Sequence, residues 1–234
     1  MTTPEHVRVP RPAPGWPLYA HPVTHPAVWE RATAMAASWR QWGDGLVVVN
    51  VDDGPGDQRS WQAYQPALCA LTTAAPAPCI AGYVHTGWGL RAVEAVLADA
   101  ATWQQRDGLR TLMLDEWCSG DEHPEQVDRS LRLLELLRPD WERVVVNPGR
   151  RLAPGYARRL VGLVDAACTA EGSGSAMPPE PEPGHLPEGA LRWTLVHSAP
   201  QGRAVPGVLG ADLAWCTASA PPHPWDGSGS ATAP

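Results

Sequence analysis

The sequence predicts an α/β protein built as a single (β/α)8 TIM-type barrel, and three observations carry that prediction. Eight short apolar runs recur along the 234 residues. Amphipathic segments of helical period lie between most of them, the alternation that builds βαβ units around a parallel sheet. Polar and acidic side chains gather just after the runs and are scarce before them, as in a barrel whose chemistry sits at one end. A chain of this length buries one large core and needs no second domain.

The expected strands are residues 17–20, 46–50, 79–84, 111–115, 144–147, 166–170, 192–197 and 211–216. The expected helices are 27–41, 60–71, 90–106, 127–137 and 156–164. In VDRSLRLLELLRP the leucines recur at steps of three and four and a proline closes the run, as in a helix that faces a core. No G-x-G-x-x-G follows the first strand, so an open dinucleotide-binding sheet lacks its fingerprint, and DDGPG at 52–56 is a turn without the lysine of a phosphate loop. Residues 172–190, GSGSAMPPEPEPGHLPEGA, are too rich in Gly and Pro for a helix and are expected to form a loop over the barrel mouth. The barrel is expected over 16–220, with flexible segments at 1–15 and 221–234.

Composition narrows the function. Twenty-five acids against 18 bases leave a formal charge of −7, the wrong sign for a nucleic-acid partner. The charge serves solubility or, more sharply, an acidic mouth for a cationic substrate. All 18 bases are arginine and phenylalanine is absent, a pattern of codon bias more than of fold. Five cysteines without a C-x-x-C indicate neither a disulfide framework nor a zinc site. The first fifteen residues hold no apolar leader and no later run is long enough to span a bilayer. The expectation is a cytoplasmic monomer with no membrane partner and no cofactor.

The strand ends supply the candidate site. Tyr19 lies in the first strand; Asn50, then Asp52 and Asp53, follow the second. GYVHTGWGLR after the third offers Tyr83, His85, Thr86, Trp88 and Arg91. The fourth ends in Asp115, Glu116 and Trp117, the fifth in Asn147, the sixth before Glu171, the seventh in His197 and Ser198. Three acids on two strands fit glycoside hydrolysis, which wants one protonated acid and one carboxylate. Neighbouring strand residues face opposite sides, so Asp115 and Glu116 do not both face the axis unless Glu116 lies past the last ladder bond. On that logic Glu116 and Glu171 form the working pair and Asp115 tunes its neighbour or holds a substrate amino group. An Asp-Glu pair at a strand end also serves as a loop cap or an arginine partner. Trp88 and Trp117 are expected to stack on sugar faces, although tryptophan at such a junction also serves as packing. His85 and His197 are read as donors to hydroxyls; neither has the i, i+4 partner of a metal ligand, and His21 and His25 in HPVTHP sit in a proline-rich loop. Ser198 lacks a nucleophile elbow.

These residues also resemble a known family, the spherulin-4-like proteins. PLYAHP, VVVNVDDGPG, GYVHTGWGLR, DGLRTLMLDE, VVVNPG, CTAEG, LVHSAP and CTASAPPHPWD follow in the family's order over roughly 16–227. Val51 stands where the family usually has proline, and Trp88 where it has tyrosine. The resemblance implies a (β/α)8 barrel and an endo-acting glycosidase on galactosamine-rich polysaccharide, with acids at Asp115, Glu116 and Glu171. Members of the family are typically secreted, in contrast with the cytoplasmic expectation. Two other readings keep the barrel: a non-catalytic carbohydrate binder, and an enzyme of acid/base chemistry on a small metabolite.

Overall fold

Each of the eight apolar runs becomes a strand. The computed structural model describes residues 11–177, 184–199, 208, 210–221, 224, 225 and 229. The strands are β1 (Ala13–Leu18), β2 (Leu46–Val49), β3 (Ile80–His85), β4 (Thr111–Asp115), β5 (Arg143–Asn147), β6 (Ala166–Ser173), β7 (Leu191–His197) and β8 (Leu213–Cys216). All pair in parallel, in sequence order, and β8 returns to β1 to close the barrel. Five helices clothe it: α1 (Pro26–Ala36), α2 (Gln58–Ala74), α3 (Val93–Asp107), α4 (Pro124–Leu137) and α5 (Pro154–Arg159).

Burial on both faces explains why the strands read as unbroken apolar runs. Val47, Val48 and Val49, like Val144, Val145 and Val146, are all fully buried. The leucine face of α4, with Leu131, Leu134 and Leu137, packs into the same core.

Several boundaries differ from expectation. β1 starts at Ala13 rather than residue 17: Ala13 N–H donates to Asp212 O (2.8 Å), so residues 13–15, expected to be unstructured, belong to the barrel wall. α1 stops at Ala36 because the Asp44 carboxylate takes the Arg40 and Gln41 N–H groups (2.7 and 3.1 Å) into a turn. α3 begins three residues late, after Leu90 N–H has closed a turn onto Gly87 O (2.9 Å). α5 is cut to six residues, and Gly162 at φ +76° completes the turn toward β6.

Candidate active site

Glycine 82 shows which way the strands face. A Cβ there would come within 2.6 Å of the Trp103 indole on α3, so Gly82 faces the helix layer. Alternation then turns Tyr83 and His85 toward the barrel interior. His85 lies opposite Asp115, and Asp115 opposite Asn147, so three strands deliver one inward row at the C-terminal end.

A bulge brings Glu171 into this row. β6 pairs Cys168 with Trp193 but Ala170 with Thr194, leaving Thr169 as an extra residue. Cys168 and Glu171 therefore share a face although three positions apart, which an unbroken strand of period two forbids. Thr169 is fully buried and its hydroxyl has no partner.

Asn147 joins the two acids. Its Nδ2 donates to Glu171 Oε2 (2.9 Å), its Oδ1 accepts the Gly149 N–H (2.8 Å), and it stands directly across the β4–β5 pair from Asp115. The Gly149 N–H orients the amide, since the flipped form would turn its oxygen toward the Glu171 carboxylate. Burial pushes the Asp115 carboxyl above its ordinary range, against donors from Tyr83, the Glu116 backbone and Asn147. Burial also raises Glu171, against donors from Asn147 and Trp225, and the Asp115 charge adds to the rise. Tyr19 and Tyr83 meet edge to face at 5.6 Å. Burial first, and Asp115 second, holds both phenols protonated well above their usual range.

Glu116 lies just beyond this row, at the strand end, and its charge adds to what burial does in raising both Asp115 and Tyr83. Past the end of β4 it adopts φ +50°, and its carboxylate faces His85 Nδ1 at 3.5 Å, each side chain 34% exposed. The residues after β3 hold that turn: Thr86 Oγ1 donates to the Asp115 and Glu116 carbonyls (3.1 and 2.7 Å), and Trp88 N–H donates to Glu116 O (2.6 Å). Trp88 itself has φ +51° and is 47% exposed. Asp53, Trp88, Glu116 and Ser198, the non-glycine residues with positive φ among those described, all follow strand ends on this side of the barrel. Left-handed backbone at such residues stores strain that only a determined surrounding structure sustains.

Glu116 and Glu171 were expected to form the working pair; Asp115, the inward residue of the final β4 pair, stands across from the Asn147 that holds Glu171, and Glu116 faces His85. Three other expected ligand groups are occupied by the fold. Trp117 is fully buried, with its backbone N–H donating to Asn147 O (3.0 Å), so it presents no face to a sugar. Arg91 pairs with Asp99 on α3 (2.5 Å) and donates to His85 O (3.0 Å), tying the loop to the helix layer. Thr86, 2% exposed, spends its hydroxyl on the two carbonyls named above. Asn50 caps its loop by accepting the Gly54 N–H (3.1 Å). His197, at the end of β7, meets the Trp225 ring at 6.3 Å. Trp225 was missed, since the sequence reading left 221–234 as a flexible tail; Pro224 and Trp225 are buried. Its signal was a lone tryptophan in a stretch of Pro, Gly and Ser. Among the described residues, no group of three or more His, Cys, Asp or Glu is arranged to hold a metal.

The model of spherulation-specific family 4 matches residues 16–210, which takes in the second half of β1 and all of β2 to β7. The chain belongs to spherulation-specific family 4. Comparison with curated proteins gives no match. Among solved structures, the family 4 chain is similar to Aspergillus clavatus Sph3 in complex with GalNAc, at TM-score 0.65 and 18% identity over 94% of each chain. That likeness bears out the barrel. The Amycolatopsis orientalis BexX/CysO complex matches at TM-score 0.47 and 18% identity over 89% of this chain and 80% of that one.

Proposed function

We propose that this chain is a glycoside hydrolase that cleaves glycosidic bonds within galactosamine-containing polysaccharide or oligosaccharide through Asp115 and Glu171. The observation that carries the reading is Asn147, whose amide donates to Glu171 and which stands directly across the β4–β5 pair from Asp115, so that two buried carboxyls meet at the barrel mouth. Two carboxyls in one water-poor place lose their protons in succession, so over a range of pH one is an acid while the other is a carboxylate. Asp115 has the lower ordinary value and three donors to Glu171's two, so it ionises first and serves as nucleophile or water-activating base. Glu171 keeps its proton for the leaving oxygen. Tyr19 and Tyr83, as protonated phenols, hold the carboxylate and sugar hydroxyls.

Glu116 and His85 stand at the rim, where a carboxylate attracts a cationic amino sugar. Trp88 offers an exposed indole for stacking on a sugar face. Family membership and the GalNAc bound by the Sph3 neighbour support a carbohydrate ligand.

Reducing-end release from N-acetylated and free galactosamine oligomers tests the proposal. Asp115→Asn and Glu171→Gln each lose about 10³-fold or more in kcat, and Glu116→Gln loses less. Calorimetric binding of the oligomers with no product would leave a carbohydrate-binding barrel instead.

A further inference from the structure

Glu116 is a non-glycine residue at φ +50°, a backbone that relaxes unless its surroundings hold it. Its carbonyl takes two donors from the loop after β3, the Thr86 hydroxyl at 2.7 Å and the Trp88 N–H at 2.6 Å. The Asp115 carbonyl takes the Thr86 N–H at 2.9 Å, with the hydroxyl also within 3.1 Å. On the other side, the backbone N–H of Trp117 donates to Asn147 O at 3.0 Å. The main chain of both β4 acids is therefore pinned between the ends of β3 and β5. The loop that supplies the donors is itself seated on α4. Gln126 Nε2 donates to Trp88 O (3.0 Å), Arg129 donates to Gly89 O (3.0 Å), and a Cβ on Gly89 would come within 2.7 Å of Gln126 O.

We propose that Thr86 is a positioning residue of the site: its hydroxyl keeps Glu116 in the left-handed turn and so fixes where the carboxyl groups of Asp115 and Glu116 stand. Thr86 is 2% exposed and its one hydroxyl proton is spent on the two carbonyls, so it acts through the acids and not on substrate. In a regular strand the residue after Asp115 would face away from the barrel interior. The left-handed φ is what brings the Glu116 carboxylate instead to His85, 3.5 Å away. The proposal rests on the hydrolase reading only for what the two acids do; the hold itself is independent of it. Thr86→Val keeps the branched shape and removes the hydroxyl. Each carbonyl then retains one backbone donor, from residue 86 or from Trp88, so the fold survives. Thr86→Ser keeps the hydroxyl and loses the methyl.

Two measurements test this. With galactosamine oligomers, Thr86→Val loses about tenfold or more in kcat/KM, since a small displacement of a reacting group is costly, and Thr86→Ser stays within about threefold of the unsubstituted protein. Equal losses, or a serine variant poorer than the valine one, overturn the proposal, since packing by the methyl produces that order. The backbone is read directly from the NMR resonances of Cα and Cβ at residue 116, which report its φ. They keep their left-handed positions in Thr86→Ser and move toward those of an ordinary negative φ in Thr86→Val. Unmoved resonances in Thr86→Val overturn the proposal even where turnover is found. Resonances that move in a protein without turnover uphold the positioning role and remove the hydrolase reading alone.

Discussion

The side-chain amide of Asn147 on β5 donates to Glu171 on β6 at 2.9 Å, and Asn147 stands directly across the ladder from Asp115 on β4. Asn147→Ala unfastens both acids without touching either. Loss of a preorganised donor of this kind costs about 10²-fold in kcat. KM for a galactosamine oligomer stays within about threefold, because the amide is spent on the carboxyls and not on substrate. A large rise in KM with kcat intact would show that Asn147 binds sugar.

Trp88 combines exposure with a left-handed backbone. Trp88→Ala removes the stacking face and raises KM about tenfold, with kcat within about twofold. Trp88→Gly removes the face and the strain together. It binds equally poorly, yet its melting temperature rises by roughly 2–4 °C for about 1 kcal/mol of relieved strain. A lower melting temperature in Trp88→Gly would mean that the indole packs and does not merely protrude.

Acid should favour the folded state at Asp115 and Glu171. Both carboxyls lie above their ordinary values of 3.8 and 4.5, so the folded state binds their protons more tightly than the unfolded state does. What they contribute is fully present below those ordinary values and is lost as pH rises through the folded-state values. Asp115→Asn and Glu171→Gln therefore melt higher than the unsubstituted protein at pH 8, by on the order of 1 kcal/mol each, the usual exchange of stability for function. The advantage disappears by about pH 4. Melting curves from pH 4 to 8 check this; variants less stable throughout would refute it.

Glu122 shows the opposite sign. Burial pushes its carboxyl up, but donors from Ser119, Arg150 and Gly120 outweigh that and hold it at about 2. Its Oε1 accepts Ser119 Oγ–H (3.0 Å) and Arg150 (2.7 Å), and its Oε2 accepts the Gly120 N–H (2.9 Å). Its stabilising effect is present above the ordinary value of 4.5 and is lost as pH falls toward 2. Arg150 is mostly exposed, so the Ser119 and Gly120 bonds carry the larger part. Glu122→Ala loses about 1–3 kcal/mol at pH 7, and urea midpoints for the two proteins converge below pH 4.

The barrel was legible because parallel strands buried on both faces must be apolar throughout, and runs such as Leu46–Val49 admit few other readings. The acids were legible because an apolar strand tolerates charge only at its end, where Asp115 stands. Their partnership was not, because it depends on which residue is the last inward one and on how β6 is spaced. Trp117 and Trp88 had equal standing in the sequence, and only tertiary burial separates the packed indole from the exposed one. Nothing local in PPHPWD marks Trp225 as part of the core, since its neighbours carry the composition of a linker.

Thr169 gives the site an unusual vulnerability. A single supernumerary residue decides whether Glu171 meets Asn147 or turns toward the outer layer. A relative lacking that one codon would display the same glutamate in an alignment while pointing it away from the cavity. In this barrel, then, a one-residue indel in β6 turns Glu171 into or out of the cavity and leaves every acid in place.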